Sequence, residues 1–453
     1  KSLYDNDIYK TSQLMRFYKK AYFVIGLIIA IVGLSLIPLL PILINEYESI
    51  GTLGINAVVI YILYLFQTIA SYWFFAYKSA IIKADQKEYK VNIVLTFSTI
   101  ITSTLQIIVL LIVPKLELYT LVSIIVIIIQ NLVISRISKK MYPLVDERNV
   151  KPLEKKEMFS MIKDCGAVFL FKLNAVVVDA TDNIVLSSLI GLSIVGLYSN
   201  YLMAVYLIKS VTGKFYNAFT ASFGNLHASG DLEYEHKMFE VINFCTFFLF
   251  SVSAVWLVCN VNDFINMLLG SDYLVTSFSY NGKTIETPIN ILLAVEMYLF
   301  GMYSFLSRIR NATGLFREIM ISPIICIVVN LVVSILLVPI IGIAGVIIGT
   351  IVSGLLTYMW IDPWIIHKKL FKTPITKYFF KNALYISVSI MSSLVIYYLI
   401  SYIGVFGWLG LIIKSIVSVL LAATINTILF WKTKEMQYCV NVAKRGLNKL
   451  FKK

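Results

Sequence analysis

Charge is what this chain has least of. Only 14% of its 453 residues are Asp, Glu, Lys or Arg, against ~25% in soluble domains. With 59% hydrophobic residues and a mean hydropathy of +0.83, that scarcity excludes a soluble globular protein. Histidine is scarcer still. His227, His236 and His367 are the only three, and all fall in basic stretches read as inner loops, so a membrane-embedded histidine centre of the acyltransferase kind is excluded. The five cysteines, Cys165, Cys245, Cys259, Cys326 and Cys439, form no C-x-x-C pair, which leaves neither a metal nor a disulfide framework. No Walker A sequence is present, so ATP is not the direct energy source. Nor is there an Arg-rich, aromatic-interleaved soluble stretch, and the net charge of +14 therefore does not signal nucleic acid.

What is present is apolar length. Twelve runs are long enough for membrane helices, at about 21–45, 52–77, 91–114, 118–135, 164–190, 193–212, 239–261, 288–307, 318–338, 342–362, 379–402 and 406–431. The expected class is an all-α polytopic membrane protein. Lys and Arg collect in alternate loops, from Lys10–Lys20, Lys78–Lys90 and Arg136–Lys163 to Lys209–Lys237, Arg308–Arg317, Lys368–Lys381 and the tail from Lys432. The opposite loops hold only Lys115 and Lys283, beside Glu46, Glu48, Glu117, Asp263, Asp272 and Glu286. This one-sidedness predicts both termini in the cytoplasm and an even number of spans. The longest outer loop, about 262–287, leaves no room for an outer catalytic domain, which a glycan polymerase would need. The basic linker 136–163, with Pro143 and Pro152, divides a front block of four spans (1–135) from the rest. In the tail, 432–453, Met436, Val440, Ala443, Leu447 and Leu450 lie on one face and Lys444, Arg445 and Lys449 on the other. That pattern predicts an amphipathic helix on the anionic lipids of the inner leaflet.

Charge inside a span is the candidate chemistry. In CGAVFLFKLNAVVVDATDNIVLSSLIGL (165–192), Lys172, Asp179 and Asn183 share one helical stripe, with Asp182 about 80° aside. Counted from Lys163, Asp179 lies roughly 24 Å along the helix, past the middle of a ~30 Å hydrocarbon core. Ionisable groups at that depth are functional by default. Lys172 suits a phosphate or sugar acid, and the aspartates suit a proton or sodium ion. The structural alternative is that Lys172 and Asp179 neutralise each other within the bundle. Glu296 is the other acid within a span. Lys414 lies near an outer end, from which it can snorkel. Arg308 and Arg310 close a helix, where guanidinium forks can seize a diphosphate or simply anchor the inner side. The small-residue run GIAGVIIGTIVSG (342–354) reads as a close helix-packing face.

Several phrases resemble the bacterial polysaccharide or oligosaccharide flippases (Wzx-like) of the multidrug/oligosaccharidyl-lipid/polysaccharide (MOP) exporter superfamily. They are YDNDIYKTSQLMRFYKKAY (4–22), IIIQNLVISRISKKMYPLV (127–145), ATDNIVLSSLIGLSIVGLYSNYL (180–202), NAFTASFGNL (217–226), RNATGLFRE (310–318) and NLVVSILLVPIIGIAGVIIGTIVS (330–353). The resemblance implies a two-lobed fold of fourteen helices, of which this chain, opening on Lys1, is expected to carry the third to fourteenth. The front lobe would then be partial, residues 164–362 a six-helix lobe, and 363–431 an additional helix pair of the kind that borders a lipid-tail groove in similar flippases.

It also implies a transporter rather than an enzyme, with no cofactor, in the bacterial cytoplasmic membrane. Its substrate would be a polyprenyl-diphosphate-linked oligosaccharide turned from inner to outer leaflet by alternating access, with coupling to H+ or Na+ open. Its partners would be that glycan, membrane lipids, and the polymerase and other proteins of polysaccharide assembly. Substrate contacts would then be Lys172, Asn183, Arg308 and Arg310, and coupling residues Asp179, Asp182 and Glu296. The nearest alternative is a cation-coupled multidrug exporter of the same superfamily.

Overall fold

The computed structural model describes residues 7–45, 47, 56–145, 150–280, 283–315, 322–403 and 407–450. Within those ranges the side chains of 160–175, 179, 215, 217–222, 225, 228, 280, 283 and 446–450 are not described. A helix stands at each of the twelve apolar stretches. They are α1 (Ile8–Leu36, continued by short turns to Leu43), α2 (Ala57–Trp73) with the short α3 (Ser79–Ala84), α4 (Glu88–Ile112), α5 (Leu116–Met141), α6 (Lys155–Leu189), α7 (Leu192–Ser229) and α8 (Leu232–Leu269). A two-stranded hairpin, β1 (Ser277–Tyr280) and β2 (Lys283–Glu286), follows in the expected outer loop. Then come α9 (Ile289–Thr313), α10 (Ser322–Ile341), α11 (Ile343–Leu356), α12 (Tyr358–Ile365), α13 (Thr376–Ile400), α14 (Gly407–Phe430) and α15 (Lys434–Leu450).

Among the described residues ten helices are long and apolar enough to cross a bilayer, and eleven if α2 and the segment Ala76–Ala84 count as one span bent by 42°. The chain is thus a multi-pass membrane protein. The twelfth stretch is α6, 35 residues long, most of whose apolar run lies among the undescribed side chains.

Helix ends follow local chemistry. Asp7 caps α1 by accepting from the Lys10 N–H at 2.8 Å, and Asn56 caps α2 through Val58 and Val59. The bend after Trp73 passes through Phe75, held at φ 60°, a left-handed conformation that aromatic side chains rarely adopt. The helices α7 and α8 are longer than the 193–212 and 239–261 spans expected from the sequence. Each has 38 residues, or roughly 57 Å at 1.5 Å per residue. They meet at Gly230, whose φ of 78° closes α7, and Asp231, whose side chain accepts from the Tyr234 N–H to open α8. The linker narrows from the expected 136–163 to 142–154, because α5 and α6 both extend into it.

The chain divides into two compact units, Lys1–Asp164 and Cys165–Lys453. The smaller has a modest core of Met15, Tyr77, Ile81, Ile82, Val91 and Ile134. The larger is organised around α8, which packs against α7, α9, α13, α14 and α15. Phe239, Phe244, Phe247 and Phe250 of that helix are buried, and the Phe247 and Tyr385 rings stack with centroids 4.2 Å apart. The run at 342–354 packs as its composition indicates. A Cβ on Gly345 would lie 2.6 Å from the Val338 backbone nitrogen, and one on Gly349 only 2.3 Å from Ser334 Oγ, so α10 and α11 touch along their small residues. Outward, large apolar side chains such as Leu111, Phe380 and Ile428 stand exposed, the surface a bilayer covers.

Candidate functional site

Within the larger unit, α6, α7, α9, α10, α11 and α12 enclose a cavity of about 190 Å³. Its charged members among the described residues are Lys209 of α7 and Glu296 of α9. Lys209 Nζ stands 3.4 Å from Glu296 Oε1, both side chains less than one-fifth exposed. The same ammonium lies 4.5 Å above the Phe300 ring and 5.9 Å from the Tyr206 ring. Tyr206 precedes Lys209 by three residues and Phe300 follows Glu296 by four, so one turn of each helix presents an ion and a ring together. The charge pair is thereby framed by aromatic faces that attract the cation. Tyr303 and Tyr358 continue the wall, ring centroids 4.2 Å apart.

Thr350 links this cavity to a buried oxygen cluster. Its hydroxyl donates to Asp182 Oδ2 at 3.3 Å and accepts from Asn330 Nδ2 at 3.1 Å. The Thr181 hydroxyl donates to Asn330 Oδ1 at 3.4 Å. Asp182 is 6% exposed and Asn330 fully buried, so a carboxylate, an amide oxygen and two hydroxyls from α6, α10 and α11 converge out of water. Such a set suits a proton or a hard monovalent cation, since oxygen ligands favour hard ions. Gly349 is what lets α11 come this close.

A second ion pair lies deeper. Arg310 of α9 reaches Asp362 of α12, Nη1 to Oδ2 2.5 Å, with Nη2 donating to Ser307 Oγ at 3.1 Å. The two side chains are 1% and 0% exposed. Asp362 follows a break in the helical path at Thr357 (φ −122°, ψ −83°) and precedes Pro363.

The residues expected from sequence fare differently. Asp182 belongs to the oxygen cluster and Glu296 to the cavity. Asn183 is half-buried on α6, and Arg308 half-buried on α9. Lys172 and Asp179 sit in α6, but their side chains lie outside the described residues. Arg310, expected at an open cytoplasmic mouth, is instead buried and committed to Asp362, because an unpaired guanidinium in that interior would be very costly.

Lys209, expected in an inner loop, faces the cavity from within the unbroken helix α7. The helix runs on through Gly213 and Gly224 to Gly230, and Tyr216 and Phe223 continue a buried stripe. Lys414, read as snorkelling outward, pairs with Asp263 of α8 at 2.5 Å.

An apolar groove of about 520 Å³ lies between α8, α9 and α13, lined by Val258, Ile291, Val295, Ile390, Leu394 and Tyr397 among others. Its α13 wall falls within 363–431, the segment expected to form an additional helix pair.

No protein-family model matches the sequence, and no curated protein matches it. Among solved structures the chain is similar to "Lipid II flippase MurJ, inward closed conformation", at 16% sequence identity and a TM-score of 0.57 over 95% of this chain and 91% of that one. At that identity the likeness is one of fold alone.

Proposed function

We propose that the protein is a flippase that carries a lipid-linked oligosaccharide, joined to its polyprenyl tail by a diphosphate, from the inner to the outer leaflet of the bacterial cytoplasmic membrane. The physical problem is moving sugars and phosphates through hydrocarbon, where each unpaired polar group costs several kcal/mol. A protein cavity that supplies polar partners and alternates its access removes that cost while the tail stays in lipid. The observation that carries this reading is the Lys209–Glu296 pair set among tyrosine and phenylalanine faces in a membrane-embedded cavity. Rings stack on the apolar faces of sugars, and the two charges offer a donor and an acceptor to hydroxyls or to a sugar acid. The volume is below the ~300–1,000 Å³ of whole small-molecule sites, so this wall holds one residue of the headgroup. The groove along α13 has the apolar character a polyprenyl tail requires. The fold shared with a lipid II flippase points the same way.

The oxygen cluster around Asp182 is the proposed coupling site. Binding H+ or Na+ there would draw α6, α10 and α11 together through Thr350 and Asn330, and Thr350 also lines the cavity. A multidrug exporter of lipophilic cations fits less well, because Lys209 already neutralises Glu296, the one acid among the described residues of the cavity wall. Partners among the enzymes of surface-glycan assembly follow from the substrate.

The test is the amount and sidedness of polyprenyl-diphosphate-linked glycan in cells lacking the protein, read with a membrane-impermeant glycan-modifying enzyme. Accumulation out of the enzyme's reach, relieved by the intact protein, supports the proposal. An unchanged pool in a strain without a redundant transporter, together with new sensitivity to lipophilic cations, would replace it with the drug-export reading.

A further inference from the structure

We infer that Cys245 and Cys439 form an oxidation site, a thiol pair that a peroxide converts into a disulfide stapling the C-terminal amphipathic helix to the transporter core. Cys245 lies on α8, the central helix of the larger unit, and Cys439 on α15, 194 residues later, with sulfurs 3.5 Å apart and both residues half-buried. Closing that gap to a bond of about 2 Å takes a small shift of a surface helix. The other described cysteines, Cys259 and Cys326, are buried and unpaired with one another.

The surroundings give the pair a division of labour. α15 is docked by weak contacts. Glu435 accepts from Lys381 at 2.6 Å, Tyr438 meets Tyr234 at 3.4 Å, Lys237 lies 5.7 Å from the Tyr438 ring, and Met436 packs on the core edge. Each such partly solvated contact stabilises by ~1 kcal/mol or less, so α15 is a helix that can let go. Its outer face, with Lys444 and Arg445, is exposed. Either sulfur can donate across the 3.5 Å contact; with Cys245 as donor the hydrogen bond favours the Cys439 thiolate and holds that thiol below its ordinary range, to about 7, and the thiolate is the reactive form.

The chemistry balances with one peroxide. The Cys439 thiolate attacks a peroxide oxygen and, with a proton taken up, releases water and leaves a sulfenic acid. The Cys245 thiol then attacks that sulfur, a second water departs, and the disulfide closes. Two thiols have lost two electrons to the peroxide, and a thiol reductant reverses the step. The consequence is a tail that no longer undocks.

The experiment uses the full chain in membranes, exposed to hydrogen peroxide, blocked with a maleimide and mapped without reduction. We expect one species joining the Cys245 and Cys439 peptides, lighter than their sum by two hydrogens. Two alkylatable thiols per chain should be lost, and dithiothreitol should restore them. Cys245→Ser and Cys439→Ser should each abolish the linked species, and trypsin should cut after Lys444 and Arg445 more slowly in the oxidised protein than in oxidised Cys245→Ser. Both cysteines still alkylated after peroxide, a disulfide between two chains, or sulfinic acid at Cys439 without linkage would each overturn the inference. Equal trypsin rates would overturn the staple.

Discussion

Two of the ion pairs in the larger unit are built to opposite specifications. Arg310–Asp362 is sealed, with a planar guanidinium at 2.5 Å from its carboxylate, a second bond to Ser307 and no exposure to speak of. Lys209–Glu296 is loose, at 3.4 Å, on a cavity wall, with a flexible ammonium balanced between a carboxylate and two rings. The first can be rearranged only at the cost of a buried, uncompensated charge. The second can exchange its partner for an incoming hydroxyl or carboxylate with little change in solvation. A sealed pair holds helices in one arrangement, whereas a loose pair in a cavity is available to a substrate.

That contrast can be broken by substitution. Asp362→Ala should have the largest effect on the fold, destabilising by ~3–5 kcal/mol, because Arg310 is left buried alone. Its check is the melting temperature of the purified protein, with the double change Arg310→Met, Asp362→Leu expected to recover most of the loss. Gly349→Val comes next. Its side chain meets Ser334 and the Asn330 backbone, so separating α10 from α11 should cost ~1–3 kcal/mol and weaken any cation effect on transport. Lys209→Met and Glu296→Gln should destabilise by less than Asp362→Ala does, because this pair lines a cavity rather than being sealed, yet abolish glycan flipping at equal abundance. If either variant transports normally, the loose pair is a structural charge like the sealed one.

The smallest effect belongs to the smaller unit. There Lys87 and the Tyr142 hydroxyl, both hydrogen-bonded to Asp85, hold its carboxyl below the usual carboxylate range. A lowered folded value means this stabilisation is present above the unfolded pKa of ~3.9 and is lost as pH falls through the folded value. Tyr142→Phe should shrink that contribution. The difference from wild type in acid unfolding should be full above about pH 4 and fade as pH falls through the folded value, with the size reduced by solvent exposure.

Acids within apolar runs were legible from sequence, and Asp182 and Glu296 were found that way because a carboxylate among Ile, Val and Leu has no other excuse. Their partners were not. Lys209 sits where a span was expected to end, close to Lys214, and by composition a lysine there is a positive-inside anchor. Only the pairing with Glu296, 87 residues away, shows that it faces inward. Asp362 was hidden for a related reason, since Asp-Pro at the end of an apolar run reads as a turn. Arg310 was recognised as special and given the wrong surroundings, because sequence reports the charge but not the burial.

A helix stands at each of the apolar stretches, and the small residues of 342–354 mark a packing face. Helix lengths escaped. α7 and α8 run through charged segments that the hydropathy pattern assigns to loops, since a helix needs no apolar residues once it has left the bilayer.

The account stands most directly on one measurement, the sidedness of lipid-linked glycan in cells whose only copy of the protein carries Glu296→Gln, at an abundance and melting temperature equal to wild type. The account predicts that the glycan stays on the inner leaflet, inaccessible to an impermeant glycan-modifying enzyme, as in cells without the protein. Wild-type exposure of the glycan would contradict it, and the cavity would then be a packing defect rather than the path of the headgroup.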